Sequence, residues 1–390
     1  MTASLYIHVP FCASICDYCD FYSININERN NAALMDGYVD AVLDDIEDQL
    51  NMFSVNEVPT IYIGGGTPSV LGAARMERLL AGMALLQPLR QTPGASVPAE
   101  FTIEANPESA DEAFLRVCRD GGVNRISLGI QTFHGPSRLA VHRGGDPRLL
   151  HKQVTIVTQL FPGAFSADLI TGLPFQTKGI LENDIAALLA CQPSHVSLYS
   201  LALEPETHLA ATLPCPDDAD NLWIAGRDML EAAGFVQYEV SNFALPNKAC
   251  AHNIRYWRME NWLGAGPAAS GTLINEEAGT GRRLTYPADI VAYLAAPRPR
   301  IHSACIEDLS RSDLIRESLL MGFRYRAGPD VGSFRRRFGC SIEDLIPTTI
   351  DRWRGRGFFE AGDNLKPSMQ GLLFLNGFLR DAFAELGDFR

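Results

Sequence analysis

The sequence has no long apolar run and little positive charge. No stretch approaches the ~20 uninterrupted apolar residues of a membrane-spanning helix, which excludes such a helix. Lys and Arg number 33 against 46 Asp and Glu, and the formal net charge of −13 disfavours a general binder of nucleic-acid phosphates. The first residues also lack the basic and apolar regions of a signal peptide. We therefore expect a soluble cytoplasmic protein that binds no nucleic acid and whose membrane contact, if any, is peripheral.

The chain is too apolar to be disordered and too long for one core of typical size. Hydrophobic residues make up 46% of its 390 positions and charged residues 20%, so two or three folded units are expected. We predict units at 1–205, 206–300 and 301–390.

The first unit repeats one pattern, a short β-branched run followed by a helical stretch. Such alternation predicts parallel strands joined by helical crossovers, hence an α/β fold. Six repeats favour a partial (β/α)6 barrel, although a flat doubly wound sheet fits the same periodicity. The strand runs are 5–9, 60–63, 101–103, 125–130, 165–170 and 195–203, and the helical stretches are 37–50, 73–86, 107–120 and 147–160.

The remaining units follow a different pattern. Residues 206–300 read as a mixed α/β extension. Residues 301–390 predict a small helical, winged-helix-like domain with helices at 308–323 and 369–386 and a strand-like piece at 357–360. Acidic and basic residues balance in this last unit, which favours packing or docking over DNA binding.

Cysteine is the residue type that needs explaining. There are nine, an odd number, and a reducing compartment would keep them as thiols. Six are scattered, and we interpret them as buried small residues. Cys12, Cys16 and Cys19 instead form C-x3-C-x2-C after the first strand run. Three thiolates can hold three corners of a cubane iron–sulfur cluster, whereas a structural zinc site would need a fourth ligand, for which His8 is the nearest candidate.

This cysteine spacing, with Tyr18 just before the last cysteine, resembles the radical S-adenosylmethionine superfamily. The resemblance implies a [4Fe–4S] cluster whose open iron chelates S-adenosylmethionine and, once reduced, cleaves it to a 5′-deoxyadenosyl radical. Five further stretches resemble the family of oxygen-independent coproporphyrinogen III oxidases and haem chaperones of the HemW type. They are Tyr-Ile-His-Val-Pro-Phe-Cys at 6–12, Gly-Gly-Gly-Thr-Pro-Ser at 64–69, Glu-Ala-Asn-Pro at 104–107, Asn-Arg-Ile-Ser-Leu-Gly-Ile-Gln at 124–131 and Asp-Leu-Ile-Thr-Gly-Leu-Pro at 168–174.

The matching stretches end successive strands, whose carboxyl ends share one mouth where ligands bind. Glycines there allow close backbone approach, Glu104 can accept from the amino group of S-adenosylmethionine, and Asp168 can accept from its ribose hydroxyls. Read without the resemblance, the glycines form a simple turn, Glu104 is a charge near a helix start, and Arg143 is a solvated surface charge. The predicted S-adenosylmethionine site comprises Tyr6, Tyr18, Gly65, Gly66, Thr67, Glu104, Gln131, Arg143 and Asp168.

Two departures favour the haem chaperones over the oxidases. The oxidases continue the motif with a fourth cysteine two positions on, where this sequence has Phe21, and they carry about 50 residues ahead of the first strand. His252 begins a His-Asn-x-x-Tyr-Trp motif of the haem chaperones, which makes it the candidate haem ligand. A lone histidine is otherwise a hydrogen-bonded structural residue.

We therefore predict a radical S-adenosylmethionine protein that binds haem and delivers it to haem proteins. Its cofactors are a [4Fe–4S] cluster, S-adenosylmethionine and haem, its partners are recipient haem proteins, and homodimerisation stays open. The alternatives are an oxygen-independent coproporphyrinogen III oxidase and, more remotely, a zinc-bearing interaction protein.

Overall fold

The structure is a computed structural model. It describes residues 1–390 except 27, 87, 90–98, 145–146, 202, 204–208, 210–211, 363 and 388–390. The strands are β1 (Ser4–Val9), β2 (Phe11–Cys12), β3 (Ile24–Asn25), β4 (Thr60–Gly65), β5 (Glu100–Ala105), β6 (Arg125–Gln131), β7 (Phe165–Thr171), β8 (His195–Ser200), β9 (Val236–Gln237), β10 (Asn242–Ala244), β11 (Trp262–Ala265), β12 (Ser270–Asn275), β13 (Thr280–Thr285) and β14 (Cys305–Leu309).

Helices fill most of the connections between the strands. They are α1 (Glu28–Met52), α2 (Gly72–Met83), α3 (Glu112–Asp120), α4 (Gly135–Ala140), α5 (Pro147–Leu160), α6 (Lys178–Ala190), α7 (Pro216–Ala232), α8 (Ala251–Trp257), α9 (Ile290–Ala295), α10 (Arg311–Arg324), α11 (Val331–Phe338), α12 (Ile342–Leu345), α13 (Pro347–Gly355), α14 (Met369–Leu372) and α15 (Leu375–Leu386). Short 3-10 helices lie at Pro68–Leu71 and Arg300–Ser303. In the described part of the chain, no helix combines the length and the apolarity needed to cross a bilayer.

The order of the parallel strands distinguishes the two α/β architectures that the sequence allowed. Strands β1, β4, β5, β6, β7 and β8 are hydrogen-bonded neighbours in chain order, all parallel. A doubly wound sheet would reverse this order at a switch point, so that alternative is wrong and the predicted partial (β/α)6 barrel is confirmed. The β-branched, apolar strands are buried along nearly their whole length, as parallel strands covered by helices must be.

The barrel sheet stays open and continues at both edges. On one side β11 pairs parallel with β1 and is followed by antiparallel β12, β13 and β14; on the other, β10 and β9 pair antiparallel beyond β8. Together they form a mixed sheet of twelve strands within the described ranges. The mixed extension is therefore part of the same sheet as the barrel.

Helix starts differ from prediction where a capping residue decides them. The helix predicted from 107 begins at Glu112 because Asp111 accepts the amide of Phe114 as its N-cap. The helix predicted from 308 begins at Arg311, where Ser310 and Asp313 form a capping box and the preceding residues belong to β14.

The carboxyl-terminal region is helical and has its own core. A second apolar cluster, separate from that of the barrel, is formed mainly by residues between Leu309 and Leu386, with Met259 from the extension, and includes Phe323, Phe358 and Phe378. The predicted strand-like piece is a single antiparallel bridge from Phe359 to Pro367, and the predicted helix at 369–386 is divided between α14 and α15. The boundary predicted at 205–206 lies outside the described residues, and the three-unit division stays a prediction.

The six scattered cysteines do not share one environment. Cys118 and Cys250 are buried, and Cys191 and Cys340 are half-buried. Cys215 and Cys305 are exposed, so the prediction of buried cysteines is wrong for these two.

Candidate functional site

The loop that carries the three clustered cysteines lies against the turn after β4. The amide of Gly66 donates to the Val9 carbonyl at 2.8 Å, and that of Thr67 donates to the Phe11 carbonyl at 2.7 Å. These bonds join the carboxyl ends of β1 and β4, the end of a parallel sheet where ligands bind. The cysteine loop therefore sits at the barrel mouth.

The three cysteines lie on one loop at this mouth, near enough for Cys12 and Cys16 to act electrostatically on the Cys19 thiol. Cys12 and Cys16 are buried, and Cys19 is half-buried with its amide donating to the Cys16 carbonyl at 3.1 Å. Burial raises the pKa of Cys19, and the neighbouring Cys12 and Cys16 raise it further. Phe21, two positions after Cys19, is 64% exposed.

A hydrogen-bonded relay connects two of these thiols through the barrel mouth. The Thr67 hydroxyl lies 3.4 Å from Cys12 Sγ and accepts from Asn106 Nδ2 at 3.0 Å. The Asn106 side-chain oxygen accepts from Arg143 at 2.7 Å, and Arg143 Nη1 lies 3.8 Å from Cys16 Sγ. Arg143 is buried, so its interpretation as a solvated surface charge is wrong. Sequence reasoning missed Asn106, although it lies inside the motif at 104–107.

Two glycines of the turn after β4 are required by their surroundings. Gly65 has φ +106°, a conformation that side-chain-bearing residues rarely adopt. A Cβ on Gly66 would lie 2.8 Å from the Phe11 carbonyl oxygen and 2.9 Å from that of Val9. The glycines therefore let the backbone approach the cysteine loop closely. A simple turn would not require glycine at both positions.

Glu104 is the penultimate residue of β5 and lies inside the mouth. Its carboxylate accepts from the Tyr62 hydroxyl at 2.7 Å and from the Gly65 amide at 3.2 Å. Burial raises the pKa of Glu104 to about 7, opposed by the Tyr62 hydrogen bond and assisted by nearby Asp168. Because α3 begins eight residues later with its own cap, the interpretation of Glu104 as a helix-terminus charge is wrong.

Asp168 lies on β7 beside Glu104. Burial raises its pKa to about 6, and the Ser197 hydroxyl, Arg143 and Arg125 oppose that rise. Glu104 and Asp168 are each half-buried as residues, whereas the rest of their strands is buried. They can accept hydrogen bonds from amino or hydroxyl groups of a ligand there.

Several buried polar atoms of the predicted site have no hydrogen-bond partner among the described residues. They include the Tyr18 hydroxyl, Oε1 of Gln131 and Nε of Arg143. Gln131 also adopts φ +66°, a costly conformation for a residue with a side chain. Unpaired buried polar groups mark places where a ligand can supply the missing bonds. The predicted site residues thus fit a polar ligand beside a thiolate-bound cluster.

Two tyrosines line the inner wall of the mouth. The Tyr6 ring stacks on that of Tyr62 at 6.3 Å, and its hydroxyl lies 3.0 Å from His8 Nδ1. Tyr62 was not predicted, since only the pairing of β4 with β5 places its hydroxyl on Glu104.

His252 lies on α8, packed against β4. Its Nδ1 is 2.8 Å from the Thr60 hydroxyl and its Nε2 is 2.9 Å from the Tyr256 hydroxyl. The side chain is buried, and burial lowers its pKa to about 3. Both ring nitrogens are engaged in these hydrogen bonds, so haem ligation by His252 requires one of them to open and stays a prediction.

His8 is not placed to act as the fourth ligand of a zinc site, because both of its ring nitrogens are in hydrogen bonds. Its Nδ1 bonds to Tyr6, and its Nε2 lies 2.8 Å from the Tyr22 carbonyl. Across the described ranges, no three His, Cys, Asp or Glu side chains are grouped as a single metal ion would require.

Comparison with known proteins agrees with this geometry. The sequence profile of the radical SAM superfamily matches residues 6–188, which include the three cysteines and all the predicted S-adenosylmethionine residues. The barrel, the cysteine loop and this match define a radical S-adenosylmethionine protein, a class that implies an iron–sulfur cluster and S-adenosylmethionine.

Relatives narrow the class further. The chain is 35% identical over 355 residues to the heme chaperone HemW of Lactococcus lactis, covering 89% of this chain and 88% of that one. It is 32% identical over 393 residues to the heme chaperone HemW of Escherichia coli, covering 98% of both. The chain belongs to the HemW family. Its fold resembles that of coproporphyrinogen III oxidase (HemN) from Escherichia coli, with a TM-score of 0.81, 21% identity and coverage of 98% of this chain and 90% of that one.

Proposed function

We propose that Cys12, Cys16 and Cys19 hold a [4Fe–4S] cluster that leaves one iron without a protein ligand. The position of the three cysteines on one loop at the barrel mouth, where Cys12 and Cys16 act electrostatically on Cys19, supports this. When bound, the cluster supplies an electron to S-adenosylmethionine. Arg143 and the Thr67 hydroxyl stabilise the negative charge of the thiolates through their contacts with Cys16 and Cys12.

The carboxyl groups of the mouth orient S-adenosylmethionine in this proposal. Glu104 accepts from its amino group, beside the Gly65 and Gly66 backbone, and Asp168 accepts from its ribose hydroxyls. The unpaired Tyr18 hydroxyl and the Gln131 side chain complete the polar contacts, and Tyr6 closes the inner wall.

The function best supported is haem carriage and delivery to haem proteins. The observation that carries it is the match to heme chaperones along almost the whole chain. Phe21, in place of the fourth cysteine, supports the same choice. The nine free thiols suit a reducing compartment, so we place the protein in the cytoplasm.

The second candidate is oxygen-independent coproporphyrinogen III oxidation. The resemblance to the oxidase fold is the reason to test this activity, but an identity of 21% supports a shared fold alone. This candidate predicts anaerobic conversion of coproporphyrinogen III to protoporphyrinogen IX, whereas the chaperone predicts none. Chromatography of the porphyrins after one incubation separates the two.

Transfer of haem from anaerobically reconstituted protein to an apo-haem protein tests the proposal. Wild type is expected to contain iron and acid-labile sulfide, to bind haem and to pass it on. Cys16→Ala is expected to lose the cluster, while Cys215→Ala, which removes an exposed thiol, keeps it. Wild-type protein that binds no haem would overturn the chaperone function, and zinc without iron would support the interaction protein instead.

A further inference from the structure

An exposed histidine lies at the rim of the mouth with its ring fixed by a carboxylate. His142 Nδ1 is 2.8 and 2.7 Å from the two carboxylate oxygens of Asp17, the residue that follows Cys16. The His142 side chain is 67% exposed, and its Nε2 has no protein partner within the described residues. A carboxylate on one ring nitrogen fixes the tautomer and the orientation of the ring, which leaves the other nitrogen able to bind a metal.

The backbone holds this histidine outward. Arg143 turns inward to Cys16, while His142 has φ +50°, a conformation uncommon for residues other than glycine. Two hydrogen bonds fix the segment to the cysteine loop: the Asp17 amide to the Val141 carbonyl and the Ser14 hydroxyl to the His142 carbonyl, both at 3.3 Å. The position of the ring is therefore determined by the cysteine loop.

The other histidines are less suited to bind iron. His8, His195 and His252 are buried with both ring nitrogens in hydrogen bonds. In the described part of the chain, only His142 has a carboxylate on one nitrogen and an exposed second nitrogen. His208 lies outside that part.

Exposed apolar residues lie in both chain segments that meet at His142. Leu139, whose carbonyl accepts the His142 amide at 3.3 Å, is 76% exposed. Ile15, next to Ser14, is 43% exposed. A flat apolar ligand with a metal centre, such as haem, can cover these aliphatic groups while its iron binds the imidazole.

We propose that His142 Nε2 is an axial ligand of haem iron at the rim of the barrel mouth, with Asp17 orienting the ring. The proposal rests on the proposed haem-carrier function and names the site from which that function operates. It places the cargo outside the S-adenosylmethionine pocket, on the outer side of the cysteine loop.

Titration of ferric haem into anaerobically reconstituted holo-protein tests this, followed by difference spectra against the same protein without haem. His142→Asn is the test variant because asparagine tolerates positive φ. His142→Gly provides a second variant with the same tolerance, His252→Gln tests the motif histidine, and His302→Ala is the control for an exposed histidine elsewhere. Iron and sulfide content report whether each variant retains its cluster.

We expect His142→Asn and His142→Gly to weaken haem binding at least tenfold and to remove the spectrum of histidine-ligated haem, with cluster content unchanged. His302→Ala is expected to match wild type. The proposal is overturned if the His142 variants bind haem as wild type does, or if only His252→Gln loses the histidine-ligated spectrum. A wild type that binds no haem overturns the proposed function itself, a different outcome.

Discussion

At the scale of single residues, burial destabilises the charged form of both Glu104 and Asp168. The pKa of Glu104 is raised to about 7 and that of Asp168 to about 6. Each is compensated by hydroxyl or amide donors, Tyr62 and Gly65 for the first and Ser197 for the second. Strongly shifted carboxyl groups in a cleft are typical of binding sites.

Binding of S-adenosylmethionine should therefore depend on pH through Glu104. The ionised carboxylate accepts from the ligand's amino group more strongly than the protonated acid does, and the raised pKa means that Glu104 becomes protonated as the pH falls below about 7. We expect the dissociation constant, measured by calorimetry, to increase from pH 7.5 to 6.0, by up to about tenfold per pH unit below the pKa.

Glu104→Gln provides the control for this dependence. It should bind weakly throughout and retain only the shallower dependence of Asp168, centred near its pKa of about 6. Wild-type binding that tightens as the pH falls would contradict the role given to Glu104.

Some residues of the site can be predicted from the sequence, whereas others are identified only by the three-dimensional structure. Glu104 and Gly65 belong to recognisable motifs, so their positions followed from the chain alone. Tyr62 and Asn106 acquire partners only through pairing between strands and from segments distant in sequence, which periodicity does not specify. The same holds for the Asp17–His142 contact, which joins residues 125 positions apart.

At the scale of elements, the turn after β4 is the segment on which the cysteine loop rests. Gly66→Ala would bring a Cβ within 3 Å of two backbone carbonyl oxygens, which cannot yield as a side chain can. We expect a loss of about 1–3 kcal/mol in the free energy of unfolding, and at least half of the bound iron lost, as the loop bearing Cys12 shifts. Denaturant titration and iron assays measure both quantities.

Gly179→Ala is the matched control, since a Cβ there, on α6, meets nothing within 4 Å. It should keep its cluster and lose no stability, because alanine favours a helix over glycine. Equal iron content in the two variants would show that close approach at Gly66 is unimportant.

The positions of the barrel strands were predictable from the sequence, but the exact starts of some helices were not. The β-branched runs located all six barrel strands within a few residues, because apolar runs between turns are typical of buried parallel strands. The helix starts at Glu112 and Arg311 were missed, because capping by Asp111 and Ser310 outweighed the apolar pattern ahead of them.

At the scale of the whole molecule, one sheet spans regions that the sequence divides. The twelve strands run without a break from the barrel into the extension and β14. The barrel and the carboxyl-terminal region are therefore distinguished by their separate apolar clusters and not by separate sheets. The carboxyl-terminal helices form their own apolar cluster and meet the rest at contacts such as the Arg326 amide to the Tyr238 carbonyl, 2.9 Å, and the Arg337–Glu276 ion pair. These contacts lie on the extension, away from the cysteine loop.

Phe378→Ala should loosen the helical region while leaving the barrel folded. Phe378 is fully buried, stacked on Phe358 at 4.4 Å and edge-on to Phe323 at 4.7 Å, so its removal should cost about 3–5 kcal/mol. We expect faster hydrogen exchange from α10 to α15, unchanged exchange in β1–β8, and S-adenosylmethionine affinity within twofold of wild type. Phe374→Ala removes a ring that is 59% exposed and should change stability by less than about 0.5 kcal/mol. Equal loss of protection in the barrel strands would instead mean that barrel and helices unfold as one unit, and the predicted division near residue 301 would be wrong.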